Sequence, residues 1–242
     1  MAERRRADIV LVERGFFDSR AQAQAAIAAG GVCADGVVLR KASQAIPPEA
    51  AIVAEAAHPW VSRGGVKLAA ALDVFGFAVT GARALDLGAS TGGFTQVLLA
   101  RGAAHVHAVD VGHGQLHPLI ANDPRVTALE GTDARRLAER EPGPFDVLTV
   151  DVSFISLKPV LPPVVPLLRP GAALIALIKP QFEAGRAHLG KGIVRDAAVQ
   201  AQVCADIRAH VTGLGFTVSG LIESPIAGGD GNREFLIGGR LS

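Results

Sequence analysis

From Arg83 onward, short apolar runs alternate with segments of helical pattern, and this alternation limits the possible folds more than any other feature. The apolar runs lie at 84–87, 106–110, 126–129, 147–151 and 173–178, and two further runs follow at 217–221 and 235–237. Strands separated by helices form a parallel sheet with helices on both faces. The sequence therefore predicts a doubly wound α/β domain over residues 64–242.

Residues 1–56 have a different pattern, with two short helices followed by short strands. Ser19 is the predicted N-cap of the second helix, and Gly30-Gly31 ends that helix. Asp35-Gly36 separates two β-forming runs, which is typical of a tight hairpin turn. The sequence predicts a small α+β domain here, joined to the larger domain by a linker over residues 57–63 that contains the single tryptophan.

The small domain resembles the S4 RNA-binding domain. The resemblance is carried by Leu11-Val12-Glu13-Arg14-Gly15, Ser19-Arg20, Ala26-Ile27 with Gly30, and the hairpin from Val32 to Lys41. Basic side chains of such a domain can position RNA through its phosphates without reading its sequence. The predicted RNA-binding residues are Arg4, Arg5, Arg6, Arg20, Arg40, Lys41 and, at the end of the linker, Arg63. The alternative is a solvated basic face on a structural domain, and Asp8, Glu13 and Asp18 keep that alternative open.

Composition narrows the function class. The net charge of +1 does not indicate a nucleic-acid partner by itself, so any basic surface must be local. Cys33 and Cys204 lack the spacing of a disulfide framework or a zinc site, which fits a reducing compartment. No signal-peptide pattern opens the chain, and prolines interrupt its most apolar stretch, residues 160–178. We therefore expect a cytoplasmic protein with no metal and no membrane association.

A glycine-rich segment, residues 86–95, follows the first strand of the large domain, where a doubly wound sheet binds its ligand. It reads GxSxGG, which differs from the GxGxxG of dinucleotide-binding proteins. Asp86 could hold the amino group of a methionine tail, and Ser90 and Thr91 with adjacent amides could hold its carboxylate. The segment favours S-adenosylmethionine in a Rossmann-like domain. A glycine turn that only packs helix on strand is the alternative.

Acidic residues after the next strands extend this site. Asp110 ends the second strand, where a carboxylate can accept hydrogen bonds from both ribose hydroxyls. Asp133 follows the third strand and could contact the adenine edge, or equally could cap a helix over residues 134–138. The predicted cofactor-binding residues are Asp86, Gly88, Ala89, Ser90, Thr91, Gly92, Gly93, Phe94, Asp110, Val111, Asp133 and Asp151.

Four charged residues are predicted to lie at or beside strand ends near that site: Lys67, Asp151, Lys179 and Glu234. Asp151 and Lys179 each end an apolar run. A ribose 2′-hydroxyl is a poor nucleophile, so it must lose its proton as it attacks a sulfonium methyl group. We predict Lys179 as the general base. Lys67, a second amine close by, favours its neutral form, while Asp151 and Glu234 orient the amines and keep the site from becoming too positive. Two ordinary ion pairs at the sheet end are the alternative.

Across nearly its whole length the chain resembles the TlyA family, whose catalytic domain is similar to FtsJ-type ribosomal RNA methyltransferases. The motifs that carry this resemblance span residues 60–68, 86–95, 109–116, 151–157, 178–183, 190–196 and 231–235. The resemblance implies 2′-O-methylation of cytidine in ribosomal RNA or ribosomal subunits. It also implies a Lys-Asp-Lys-Glu catalytic tetrad that falls on the four residues above, and a linker that responds to cofactor or RNA.

Two other hypotheses come from different functional classes. Proteins of this family are also labelled haemolysins, but the sequence has no spanning segment or amphipathic hairpin pattern of a membrane-damaging protein. An RNA-binding protein with an inactive methyltransferase domain is the other, and the intact glycine-rich segment and tetrad argue against it. Within the enzyme hypothesis, we expect the loop from Gln181 to Asp196 to close over the site or contact RNA, and to be disordered without cofactor.

Overall fold

The computed structural model describes residues 4–139, 143–185, 190, 192–228 and 231–242. It divides into two compact units, Met1–Pro59 and Trp60–Ser242, which we call the small unit and the large unit. The predicted linker, residues 57–63, spans this division, and its exact limits and its role stay predictions.

In the small unit, helices α1 (Ala7–Glu13) and α2 (Arg20–Ala28) precede a three-stranded antiparallel sheet. The strands are β2 (Val32–Ala34), β3 (Val37–Val38) and β5 (Ile52–Ala54), in the order β3-β2-β5. A second, two-stranded sheet pairs β1 (Arg5–Arg6) with β4 (Ala45–Ile46). The two helices and the hairpin match the sequence prediction, whereas β1 and β4 were not predicted.

Local chemistry explains these elements. The Ser19 hydroxyl accepts a hydrogen bond from the Gln22 amide, which caps α2 as predicted. Asp35 and Gly36 both have positive φ, +50° and +76°, so they form the tight turn that a two-residue hairpin needs. Buried apolar side chains from both helices and the sheet, Leu11, Ile27, Val32 and Leu39 among them, form one core.

In the part of the chain that the structure describes, the large unit contains seven strands and six α-helices. In chain order these are α3 (Arg63–Phe75), β6 (Arg83–Leu87), α4 (Gly93–Ala100), β7 (His105–Val109), α5 (Pro118–Ala121), β8 (Val126–Leu129), β9 (Phe145–Val150), α6 (Leu157–Val160), β10 (Leu168–Ile178), α7 (Pro180–Glu183), α8 (Ala197–Gly213), β11 (Phe216–Glu223) and β12 (Phe235–Leu241). Short 3₁₀ helices occupy Ala134–Glu139 and Val165–Leu167.

The seven strands form one sheet in the order β11-β12-β10-β9-β6-β7-β8. Neighbours from β10 to β8 are parallel, while β12 is antiparallel to both β10 and β11. Two clusters of buried apolar side chains pack within this unit, and both include residues of the central strands. The predicted α/β, doubly wound fold is therefore confirmed.

This topology determines where a ligand can bind. From β6 the chain continues to β7 and β8 on one side, and then returns to β9 on the other side of β6. A doubly wound sheet binds ligands outside the carboxyl ends of its strands, at the point where the strand order reverses. The loops after β6, β7 and β9 meet at that point.

Candidate active site

The loop after β6 comes so close to the end of β9 that it requires glycine. Gly88 has φ of +79°, and a Cβ atom at this position would lie 2.5 Å from the carbonyl oxygen of Asp151. Gly92, with φ of +95°, is the N-cap of α4. Both glycines thus allow a tight turn that presents backbone amides at the carboxyl end of the sheet.

Asp86 lies beneath this loop, near the end of β6, with no exposed surface. Its carboxylate accepts hydrogen bonds from the Thr95 hydroxyl at 2.6 Å and the Thr149 hydroxyl at 2.8 Å. Burial, together with the nearby Asp151 charge, raises the pKa of Asp86 to about 6 although both hydroxyls oppose the shift. In this arrangement Asp86 joins β6, β9 and α4, and its predicted contact with a methionine amino group stays a prediction.

Asp110 follows β7 and is half-buried. Its two oxygens accept hydrogen bonds from the backbone amides of Ser90 and Gly112, each at 2.8 Å. The carboxylate therefore links the loop after β6 to the loop after β7. It lines the same pocket as both loops.

A pocket of about 550 Å³ opens at these strand ends, within the size range of small-molecule sites. Of the predicted cofactor-binding residues, it is lined by Gly88, Ser90, Asp110, Val111, Asp133 and Asp151. The six other predicted residues do not line it. Asp86, Ala89, Gly92, Gly93 and Phe94 are buried, and Thr91 is half-buried.

The sequence left two roles open for Asp133, a helix cap and a contact to the adenine edge. Asp133 accepts a hydrogen bond from the Arg135 backbone amide at 2.9 Å, at the start of the 3₁₀ helix Ala134–Glu139, and it lines the pocket. The Arg135 guanidinium lies 2.6 Å away and holds the pKa of the Asp133 carboxyl below its usual value. The capping contact is therefore present, and the adenine contact stays a prediction.

The four predicted catalytic residues form two ion pairs. Lys67 Nζ lies 2.6 Å from Glu234 Oε2, and both side chains are buried. Lys179 Nζ lies 2.7 Å from Asp151 Oδ1 at an angle outside that of a hydrogen bond. The same ammonium donates a hydrogen bond to Ser153 Oγ at 2.8 Å.

Strand register brings these two pairs side by side. Asp151 directly follows β9, Lys179 directly follows β10, and Glu234 directly precedes β12. Since Ile178 pairs with Phe235 across β10 and β12, Lys179 and Glu234 occupy neighbouring positions at the sheet end. Helix α3 contributes Lys67 from outside the sheet. Three adjacent strands and one helix thus place two amines and two carboxylates at one end of the sheet, and of the four only Asp151 lines the pocket.

Sequence reasoning missed Phe154 as a site residue. Its side chain is 90% exposed, it lines the pocket, and its φ of +65° is unusual for an aromatic residue. The Phe154 ring centroid lies 5.1 Å from that of Phe182. Phe154 lies within one of the motifs that carry the family resemblance, but a sequence cannot distinguish an exposed phenylalanine from a core residue.

Several arginines predicted to bind RNA form ion pairs within the small unit. Arg5 pairs with Glu13 at 2.7 Å, while Arg6 and Arg20 pair with the buried Asp8 at 2.9 and 2.8 Å. The hydrogen bonds from Arg6, which has the largest effect, and from Arg20 hold the pKa of Asp8 well below its usual range. The other members of the predicted set in this unit are exposed: Arg4, Arg40 and Lys41. Because three guanidiniums have acidic partners, a purely structural basic face stays a possible interpretation.

The remaining predicted contacts lie in the large unit. Arg63, predicted to bind RNA, donates a hydrogen bond to the Ala227 carbonyl oxygen. Of the loop predicted to close over the site, residues 186–189 and 191 lie outside the described residues. The Asn232 side chain binds the end of that loop, because it accepts from the Val194 amide at 3.2 Å and donates to the Gly192 carbonyl at 3.1 Å.

In the described part of the chain, no group of three or more His, Cys, Asp or Glu residues is arranged to hold a metal ion. Cys33 and Cys204 are free thiols, and burial raises the pKa of Cys204 to about 11. Within the same residues, no helix is both long and apolar enough to cross a bilayer.

The doubly wound sheet, the glycine-rich loop at its switch point and the acidic pocket define a Rossmann-like ligand-binding domain. The family model for FtsJ-like methyltransferases matches residues 60–241, and the model for the S4 domain matches residues 5–52. The chain therefore belongs to the FtsJ-like methyltransferase family and has an S4 domain before the catalytic domain.

Similar proteins place the chain with the TlyA relatives. It is 45% identical to the 16S/23S rRNA (cytidine-2′-O)-methyltransferase TlyA of Mycobacterium tuberculosis, over 98% of this chain and 90% of that protein. Hemolysin A of Brachyspira hyodysenteriae is 37% identical, over 96% of this chain and 98% of that protein. A solved structure from Streptococcus thermophilus has a TM-score of 0.78 and 38% identity, covering 100% of this chain and 90% of that one. The resemblance to the TlyA family is confirmed.

Proposed function

We propose that this protein is an S-adenosylmethionine-dependent ribosomal RNA methyltransferase that modifies the 2′-hydroxyl of cytidine. The observation that carries the proposal is the pairing of Lys179 with Asp151, which lines the pocket, next to the buried pair of Lys67 and Glu234 at the same end of the sheet. The relative from M. tuberculosis is named for this reaction, which supports the choice of substrate. A ribosomal RNA substrate implies a cytoplasmic enzyme.

The pocket suits an S-adenosylmethionine molecule in size and in donor set. Asp110 offers two carboxylate oxygens to the ribose hydroxyls, replacing or sharing its backbone contacts with Ser90 and Gly112. Val111, 71% exposed at the pocket wall, offers an apolar surface to the adenine, and Asp133 offers an acceptor to its edge. The loop containing Gly88 lets backbone approach the methionine part closely. When bound, the cofactor supplies a sulfonium methyl group as the electrophile.

Lys179 is the general base in this proposal. In its neutral form its Nζ accepts the proton of the 2′-hydroxyl while the ribose oxygen bonds to the methyl carbon and the carbon–sulfur bond breaks. Asp151, 2.7 Å away, pairs with the ammonium that forms. Lys67 and Glu234 fix each other in the buried neighbouring position and keep the local charge balanced. The residues together orient one hydroxyl in line with the reacting bond.

Two exposed features offer contacts to RNA: Phe154 at the pocket, and the basic residues of the small unit. Phe154, exposed at the pocket mouth, can stack on a nucleobase whose ribose faces Lys179. In the small unit, the predicted basic residues contact phosphates and so position folded RNA without sequence readout. We propose RNA contacts for the whole predicted set, of which Arg63 alone lies in the large unit: Arg4, Arg5, Arg6, Arg20, Arg40, Lys41 and Arg63.

The decisive experiment measures transfer of tritiated methyl groups from S-adenosylmethionine to ribosomal subunits and to free ribosomal RNA. Label in alkali-resistant 2′-O-methylated dinucleotides is expected for the wild type, and loss of the base in Lys179→Ala should lower the rate by at least about 10²-fold. Lys158→Ala, which changes an exposed lysine, is the matched control and should retain the wild-type rate.

Three other outcomes of these experiments would contradict parts of the proposal. If the wild type binds cofactor and labels no RNA, the proposed substrate is wrong. If Lys179→Ala labels RNA at the wild-type rate, the assignment of the base is wrong. Lysis of erythrocytes by the purified wild type would support the haemolysin hypothesis instead.

A further inference from the structure

Two segments beside the proposed base are fastened to each other. The first, residues 153–157, follows β9, and the second, residues 179–183, runs from Lys179 through α7. The Glu183 carboxylate joins them, since it accepts a hydrogen bond from the Ser156 hydroxyl with one oxygen and from the Leu157 amide, at 2.8 Å, with the other. The Phe154–Phe182 ring contact joins the same two segments.

The first segment contains two groups that face the proposed chemistry. Ser153 accepts the hydrogen bond of the Lys179 ammonium, and Phe154 lines the pocket mouth. Phe154 has a left-handed backbone conformation at φ of +65°. For an aromatic residue, such a conformation is strained and persists only where surrounding contacts hold it. Glu183 holds the backbone shortly after the strained residue, through its hydrogen bonds with Ser156 and Leu157.

Capping of α6 does not by itself account for Glu183. Ser156 is the N-cap of that helix, and its hydroxyl already accepts a hydrogen bond from the Lys158 amide at 3.1 Å. The carboxylate of Glu183 adds a connection from outside the helix. Glu183 is the last residue of α7, and Lys179 is the N-cap of the same short helix. The contact therefore sets the position of the Ser153–Phe154 loop relative to the proposed base.

We infer that Glu183 is a positioning residue for methyl transfer: it holds the loop containing Ser153 and Phe154 in register with Lys179, so that base and target nucleoside meet in one geometry. The inference rests on the proposed function. Glu183 itself does not line the pocket, whereas Ser153 and Phe154 line it together with Gly88 and Asp110 from other loops. Loss of Glu183 should therefore lower the rate of methyl transfer and the affinity for RNA far more than the affinity for the cofactor. A displacement of about 1 Å at a reacting centre can lower a rate by about 10²-fold.

The test compares Glu183→Ala and Glu183→Gln with the wild type in the full-length protein. A glutamine can still accept from the Leu157 amide through its oxygen and donate to the Ser156 hydroxyl through its nitrogen. We expect Glu183→Ala to lower the single-turnover methylation rate by about 10- to 100-fold. Glu183→Gln should recover most of that loss. The dissociation constant for S-adenosylmethionine should stay within about twofold in both variants, because Glu183 makes no hydrogen bond to Asp110 or to the loop containing Gly88, which hold the cofactor in this proposal.

Controls separate positioning from general stability. Glu139→Ala removes an exposed carboxylate of an ion pair with Arg136 and should leave both rate and cofactor affinity unchanged. Wild-type rates in both Glu183 variants would overturn the inference, as would a loss of cofactor binding in step with the loss of rate. If Glu183→Ala fails to fold, Ser156→Ala takes its place, because it removes one of the two hydrogen bonds of Glu183: a lowered rate with unchanged cofactor affinity would support the inference, and a wild-type rate would overturn it. Failure of the proposed function would be distinct, because the wild type itself would then label no RNA.

Discussion

Replacing Asp86 by asparagine should stabilise the protein at neutral pH. The carboxyl is fully buried and bound by two threonine hydroxyls, and its pKa is raised to about 6. An asparagine amide is neutral at every pH. It can accept a hydrogen bond from one threonine and donate to the other, so the substitution removes the charge while both contacts can persist.

The magnitude follows from the pKa. An aspartic acid in an unfolded chain has a pKa of about 3.9, so the folded protein holds this proton more tightly than the unfolded chain does. The stabilising contribution is fully present below about pH 4 and is lost as pH rises through about 6. Since one pKa unit corresponds to about 1.4 kcal/mol, the loss at pH 7.5 is about 3 kcal/mol. Asp86→Asn avoids that loss.

Denaturant unfolding of the wild type and of Asp86→Asn between pH 4 and pH 8 would check this. The two free energies of unfolding should coincide near pH 4 and separate by about 3 kcal/mol at pH 7.5, where the melting temperature of the variant should be higher by about 6–12 °C. Asp73→Asn, which changes an exposed carboxylate, should shift stability by less than about 0.5 kcal/mol. A variant that is less stable than the wild type at pH 7.5, with a gap that does not vary with pH, would refute the reasoning.

Three further substitutions test the site. Gly88→Ala places a Cβ atom 2.5 Å from the Asp151 carbonyl oxygen at positive φ, so it should weaken cofactor binding, measured by calorimetry, by at least about tenfold. Gly114→Ala, also at positive φ but with no atom near its Cβ, should leave cofactor binding unchanged. Lys67→Met leaves the Glu234 carboxylate buried without its partner and should lower the free energy of unfolding by about 3–5 kcal/mol in urea titrations. Phe154→Ala should raise the KM for RNA by about 5- to 100-fold and leave cofactor affinity unchanged, as steady-state kinetics and calorimetry would show.

The fold of the large unit was predictable because its parallel strands are buried on both faces. Such strands appear in the sequence as short continuous apolar runs, and the helices between them follow a different period. In the small unit, by contrast, the two-residue strands β1 and β4 were not predicted. β1 consists of Arg5 and Arg6, which have no apolar pattern to mark them. Their pairing with Ile46 and Ala45 is set by tertiary contacts.

The candidate site was predictable where a charge interrupts an apolar strand end. Asp151 and Lys179 stand out for this reason, because a charge is costly there unless it is paired or functional. The loop residues do not stand out in this way. Ser153, Phe154 and Glu183 lie within motifs of the family resemblance, but the sequence does not show their roles, since these depend on contacts between segments that are distant along the chain.

The arginines of the small unit show why a net charge near zero says little about RNA binding. Asp8, which weakens the case for a basic surface when charges are counted along the sequence, lies buried and holds Arg6 and Arg20 at one place. The carboxylate cancels one charge, yet two guanidiniums remain about half exposed there, so the local charge stays positive. Ordering two like-charged side chains beforehand reduces the entropy lost when they meet a phosphate. The same acidic residue can therefore lower the overall charge and favour local anion binding, and only the three-dimensional arrangement distinguishes the two effects.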